Sequence, residues 1–80
     1  MRRNNMTERH KQCLEALDVL GEATAREVSE YMVEKGYSNV NERNIAHPRL
    51  NELKKEGYVK VVGKKLDPLT KKMVSVYEKI

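Results

Sequence analysis

An α+β domain of three helices followed by a β-hairpin is the fold that the sequence predicts. Three stretches carry apolar residues at helical spacing, each preceded by a capping residue and followed by a glycine. After Gly57 the apolar residues alternate instead, in two short runs rich in valine. Eighty residues make one domain at most, with a core near the lower size limit for independent folding.

The first two helices have clear start and stop signals. Thr7 is the expected N-cap of the first helix, and Gly21 is its stop. Thr24-Ala25-Arg26-Glu27 is a capping box at the start of the second helix, in which each end side chain satisfies the other residue's backbone amide. Gly36 ends this helix. The predicted apolar stripes are Cys13, Leu14, Leu17 and Leu20 in the first helix, and Val28, Tyr31 and Met32 in the second.

The third helix is predicted to begin at Asn41, a good N-cap, and to end before Gly57. Val40 can pack on Ile45 as a hydrophobic staple. The stripe that faces the core has the spacing i, i+4 and i+7 and consists of Ala46, Leu50 and Leu53.

Pro48 is unexpected in this helix. An interior proline removes a backbone hydrogen bond and clashes with the preceding turn, at a cost of about 3 kcal/mol. Two explanations remain open. Either the proline projects from the exposed face and bends the first turn, or the helix begins near Asn44 and Pro48 lies in its opening turn.

The last part of the chain is predicted to be a β-hairpin. YVKVV (residues 58–62) and MVSVYEKI (residues 73–80) have the composition of strands. The polar, lysine-rich segment GKKLDPLTKK (residues 63–72) would connect them.

Charge is distributed unevenly along the chain, whose net charge is +4. Residues 7–42 carry four Lys/Arg against eight Asp/Glu, whereas residues 43–72 carry nine against three. Such a basic region suits a polyanion, although a solvated charged surface is the alternative. Residues 1–6, with Arg2 and Arg3, are predicted to be a flexible basic arm, which either enters a minor groove or is a disordered start.

Catalytic and metal-binding motifs are missing from the sequence. His10 and Cys13 lie three residues apart, but two ligands do not make a zinc site, and there is no CxxC, HExxH or glycine-rich phosphate loop. We therefore expect Cys13 to be a small core residue, and we expect neither enzymatic activity nor a cofactor. A single cysteine and the absence of long apolar runs predict a soluble cytoplasmic protein without a membrane partner.

Three helices followed by a hairpin is the element order of a winged helix, and the residues carry the resemblance further. TAREVSEYM…ERNIAHPRLNELKKEGYVKVVGKKLDPLTKKMVSVY resembles the small prokaryotic and bacteriophage winged helix-turn-helix proteins. Many of these have a T-A-R-E-hydrophobic start, a P-R-hydrophobic-x-E-L run in the third helix, and a D-x-x-T-G-R wing that ends in V-x-hydrophobic-aromatic. The resemblance covers roughly residues 10–78, and Lys71 occupies the place where glycine is common. It implies a small DNA-binding transcriptional regulator or phage replication accessory, located in the host cytoplasm if it is phage-encoded.

The resemblance also implies that the third helix enters the major groove while the hairpin wing contacts the flanking backbone. A helical wheel places a set of polar side chains and one proline opposite the core stripe, namely Asn44, His47, Pro48, Asn51 and Lys55. Asparagine can pair with adenine, and short apolar groups can meet a thymine methyl. Arg43 and Lys54 lie on the flank, where they suit phosphates.

Each charged side chain outside this face of the third helix has two possible roles. The wing lysines, predicted to contact phosphates or merely to keep the edge strands soluble, are Lys64, Lys65, Lys71 and Lys72. Arg49 lies beside the core stripe and is expected to pair with an acid of the first or second helix, with a phosphate contact as the alternative. Glu52 is expected to be structural or solvated.

Double-stranded DNA is thus the predicted partner, bound in either a sequence-tolerant or a sequence-specific manner. The competing class is a winged-helix module that docks onto other proteins, but docking does not require the excess of six positive charges in residues 43–72. The sequence leaves a homodimer open as a further partner, formed through the first helix or the arm.

Overall fold

A computed structural model describes residues 7–38 and 43–80, without the side chains of residues 43–45. As predicted, the fold is α+β, with three helices and a three-stranded antiparallel sheet in these ranges. The elements are α1 (Glu8–Leu20), β1 (Glu22–Thr24), α2 (Ala25–Glu34), α3 (Arg43–Lys55), β2 (Val59–Leu66) and β3 (Met73–Lys79). The predicted arm (residues 1–6), the cap at Asn41 and the staple of Val40 on Ile45 lie outside what is described. No helix in the described ranges is long and apolar enough to cross a bilayer.

The predicted N-caps of α1 and α2 are confirmed. The Thr24 hydroxyl accepts a hydrogen bond from the backbone N–H of Glu27 at 3.3 Å, and the Glu27 carboxylate accepts one from the Thr24 N–H at 2.9 Å. Thr7 forms a similar box with His10, whose Nδ1 accepts from the Thr7 N–H at 2.9 Å. Gly21 caps the end of α1 with a positive φ of 87°, a conformation that glycine adopts without a Cβ penalty.

The sheet differs from the prediction in two respects. The strand β1 between α1 and α2 was not predicted, because three residues are too few for a recognisable alternation; it pairs with β3, with Ala23 opposite Tyr77. The strand β2 continues to Leu66, so the connecting loop is residues 67–72 and not 63–72. The sheet order is β1-β3-β2, which leaves β2 at an edge, and every residue of this strand after Val59 is exposed. A register shift between Val61 and Gly63 marks a bulge within β2.

The core lies between the three helices and the sheet. The stripe predicted for α3 is buried, with Ala46 and Leu50 at 0% exposure and Leu53 at 1%. The core also contains Cys13, Leu17, Val28, Met32, Val59 and Tyr77. The stripe predicted for α1 is too long, because Leu20 is 44% exposed at the helix end.

The thiol of Cys13 is a core group, as predicted. It is free and fully buried. Burial raises its pKa to about 12, since the thiolate would lose its hydration, although the charges of Arg9 and Arg49 oppose this shift.

Pro48 lies inside α3, in its second turn. The described helix begins at Arg43, one residue from the later start near Asn44 that the second explanation proposed, but Pro48 lies beyond the opening turn in which that explanation placed it. The residue is exposed, as expected for a side chain opposite the core stripe. Its ring therefore displaces no core side chain, and the missing N–H is one that would have bonded the carbonyl of Asn44.

A partly buried network of side-chain hydrogen bonds joins α1, α2 and the segment after α2. Tyr31 donates to a carboxylate oxygen of Glu15 at 2.5 Å, and Tyr37 donates to the same group at 2.8 Å. These two hydrogen bonds lower the pKa of Glu15, and the Glu15 carboxylate in turn raises the pKa of Tyr31 to about 12. The network fixes the chain at Tyr37, shortly before α3 begins.

Candidate nucleic-acid interface

The outward face of α3 carries the side chains that the helical wheel placed there. Pro48, Asn51, Lys54 and Lys55 are exposed, and His47 is half-buried. The burial of Ala46, Leu50 and Leu53 on the opposite side forces this orientation. The remaining two predicted residues, Arg43 and Asn44, belong to the helix, but their side chains lie outside the description.

The two lysines at the end of α3 have a local role as well. Lys54 and Lys55 lie in the last turn, where their charge interacts favourably with the negative end of the helix dipole. Neither makes an ion pair with a described residue. Both ammonium groups are therefore available to phosphates.

Asn51 accepts a hydrogen bond from a residue that the sequence did not predict to contact it. The hydroxyl of Tyr77, in β3, donates to the Asn51 side-chain oxygen at 3.5 Å, a long hydrogen bond. The Asn51 amide keeps its two N–H donors and a second lone pair for other partners. No sequence pattern indicated this contact, because the alternation of β3 shows only that Tyr77 faces the core.

Arg49 has a different partner from the one expected. Its Nε lies 3.0 Å from Oε1 of Glu52, in α3 itself and not in α1 or α2, because residues three apart are neighbours on a helix. The Nε and Oε1 atoms form an ion pair but lack the geometry of a hydrogen bond. The Nη2 atom of Arg49 does donate a hydrogen bond to Oε2 of Glu52, at 3.4 Å. Glu52 is structural, since its Oε1 also lies 2.6 Å from Nε2 of His10 in α1. His10 accepts at Nδ1 from a backbone N–H, so Nε2 is the nitrogen that donates to Glu52.

The hairpin displays all four predicted wing lysines on its surface, namely Lys64, Lys65, Lys71 and Lys72. One of them differs from the others: Lys65 forms an ion pair with Glu27 of α2 at 2.5 Å. Partial burial raises the pKa of Glu27, but Lys65 and the N–H of Thr24 outweigh it and lower the pKa overall. Lys65 is thus partly neutralised, whereas the other three make no ion pair within the described ranges.

The loop of the hairpin is closed by its own backbone. The N–H of Asp67 donates to the Lys72 carbonyl, and the N–H of Lys71 donates to the Asp67 carbonyl, both at 2.8 Å. Lys71 has a φ of 61°, in the left-handed region that favours glycine. Lys71 therefore adopts a backbone conformation that glycine favours.

Two residues missed by the sequence analysis join this loop to α2. Arg26, in the first turn of α2, directs its Nε at both carboxylate oxygens of Asp67, each 3.1 Å away. The hydrogen bond from the Leu69 N–H lowers the pKa of Asp67 against the effect of burial, and Arg26 lowers it further. Both residues lie within the stretches that carry the resemblance, but no local pattern pairs positions 41 residues apart.

Comparisons of the chain with models of protein families, with curated proteins and with solved structures find no match.

Proposed function

We propose that this chain is a winged helix-turn-helix protein that binds double-stranded DNA without catalysing a reaction, as a small transcriptional regulator or a phage replication accessory. The observation that carries the proposal is the outward face of α3, which presents Asn51 and Lys55 while its opposite face is buried in the core. The element order supports the winged-helix arrangement, since three helices precede a lysine-rich hairpin.

The two surfaces would act on DNA in different ways. An amide on an exposed helix can form hydrogen bonds with base edges in the major groove, and such contacts discriminate between sequences. The lysines of the hairpin are point charges on flexible stems, which suit phosphates and carry no sequence information. Asn51 is therefore assigned to reading bases, and Lys64, Lys71 and Lys72 are assigned to binding the backbone.

Exposed apolar side chains on the hairpin favour a second candidate, a protein-docking module. They are Val61, Val62, Leu66, Leu69 and Met73. Contiguous apolar surface is typical of protein interfaces. The ammonium groups of Lys64 and Lys72 beside these residues instead favour a polyanion, and for this reason DNA remains the leading proposal.

Gel-shift titrations of a random duplex at low salt distinguish the two candidates. Binding supports the DNA proposal, and no detectable binding at low salt favours docking. A selected duplex and a salt series then separate the two surfaces. Asn51→Ala should cost roughly 1–3 kcal/mol on the preferred sequence and little on random duplex.

The lysine pair should behave differently. Lys71→Ala/Lys72→Ala should weaken binding to every sequence alike and flatten the log–log salt slope by up to about 2. Lys11→Ala/Lys35→Ala is the matched control, because it removes the same charge from the acidic half of the chain and should change the slope less. A lysine pair that alters neither affinity nor slope would show that the hairpin is not a DNA-contacting wing.

A further inference from the structure

Asp67 is the one buried acid among the residues that the structure describes. Its side chain is 1% exposed and that of its partner Arg26 is 13% exposed. A carboxylate is costly to bury unless it is paired and hydrogen-bonded, and Asp67 meets both conditions. A buried carboxylate is unexpected in a lysine-rich hairpin loop, because a loop that is only solvated needs no buried acid.

The contacts of Asp67 organise the whole loop. Its Oδ1 accepts from the Leu69 N–H at 2.9 Å, which fixes the start of the loop. Its backbone N–H and carbonyl bond to Lys72 and Lys71, which fixes the end. Because Arg26 binds the same carboxylate, the loop is fastened to the first turn of α2.

A second ion pair reinforces this attachment. Lys65, at the other side of Asp67, binds Glu27, the neighbour of Arg26. The strand that leads into the loop and the loop itself are thus joined to the same turn of α2. A loop that is ordered during folding has less conformational entropy to lose when it binds a ligand.

We propose that Arg26 and Asp67 are positioning residues of the DNA-binding surface, and that their ion pair holds Lys71 and Lys72 where they bind phosphates. This inference rests on the proposed DNA-binding function. In this proposal Arg26 acts through Asp67, since its Nε donates to both oxygens of that carboxylate and its side chain is only 13% exposed.

The proposal predicts an effect opposite in sign to that of simple electrostatics. Asp67 places a negative charge among the wing lysines, so its removal would strengthen binding to a polyanion if charge alone mattered. If the ion pair positions the lysines, its removal weakens binding instead.

Asp67→Asn is the sharpest variant, because the asparagine keeps an oxygen for the Leu69 N–H. It removes the charge and replaces the second acceptor of the Arg26 Nε–H by an NH2 donor, so the ion pair is lost. Glu56→Gln is its matched control, an exposed acid beyond the end of α3. Affinity for one duplex is measured over a salt series. Asp67→Asn should bind more weakly and show a log–log slope smaller by up to about 2, which is roughly tenfold less loss of affinity between 50 and 200 mM salt. Glu56→Gln should bind equally well or more tightly.

The decisive measurement is whether the effect of Asp67→Asn on DNA binding requires Lys71 and Lys72. In the Lys71→Ala/Lys72→Ala background, Asp67→Asn should weaken binding no further and flatten the slope no further, since the lysines that it positions are gone. Arg26→Gln should behave in the same way, whereas an arginine that itself contacts a phosphate would lower the slope further in that background. Tighter binding by Asp67→Asn, or effects that add to those of the lysine pair, would overturn the proposal.

Trypsin cleavage after Lys71 and Lys72 tests the attachment of the loop separately from DNA binding. Asp67→Asn should be cleaved faster there at a temperature where its circular dichroism equals that of the wild type. Unchanged cleavage would overturn the attachment even if DNA binds. Wild-type protein that binds no duplex would overturn the proposed function and the positioning role with it, whatever the cleavage rate.

Discussion

Leu50→Ala tests which face of α3 lies in the core, and the assignment of the DNA-reading face depends on the answer. Leu50 is 0% exposed and belongs to the same core cluster as Leu17, Met32 and Leu53. The substitution removes three carbon atoms, worth about 0.8 kcal/mol each in lost burial, so the transfer contribution is about 2 kcal/mol. The cavity that remains adds to this, and the expected loss of stability is roughly 2–5 kcal/mol.

Equilibrium urea denaturation followed by circular dichroism measures this loss. Leu69→Ala is the matched control, because it removes the same atoms from a side chain that is 68% exposed. It should change the free energy of unfolding by less than about 0.5 kcal/mol. If the two variants have the same midpoint, the wrong face of α3 has been placed inside, and Asn51 and Lys55 lose their assignment as exposed DNA contacts.

Thr24→Ala should cost about 1 kcal/mol of stability in the same assay and leave DNA affinity largely intact, because a capping box acts on folding; a loss of affinity at unchanged stability would make Thr24 a phosphate contact. Burial and a pKa of about 12 should keep the Cys13 thiol unreactive toward a thiol reagent in the native state, and labelling as fast as in denaturant would contradict its place in the core. Because the pKa of Asp67 is depressed in the folded protein, its contribution to stability is fully present above the unfolded value of about 3.9 and is lost as the pH falls through the folded value. The stability difference between wild type and Asp67→Asn should therefore be constant near neutral pH and shrink as the pH falls below about 4, and a difference that grows on acidification would contradict this assignment.

The local parts of the fold could be predicted from the sequence because their causes are local. Thr24 and Glu27 form a capping box within four consecutive residues, and the stripe of Ala46, Leu50 and Leu53 follows from the helical period. The same period also placed Asn51 on the exposed face. The strand β1 could not be predicted in this way, because its hydrogen bonds come from β3, more than fifty residues later in the chain.

The sequence by itself determined the α+β class, the two capped helices, the face of α3 that is buried, and the concentration of positive charge in residues 43–72. Each of these depends on the composition or spacing of neighbouring residues. Only the tertiary structure decided which charges remain available. It pairs Arg26 with Asp67, Lys65 with Glu27, and Glu52 with both Arg49 and His10. Three of these four contacts join different parts of the fold, so they depend on how the helices and the hairpin pack. No local sequence pattern can show which residues this packing brings together.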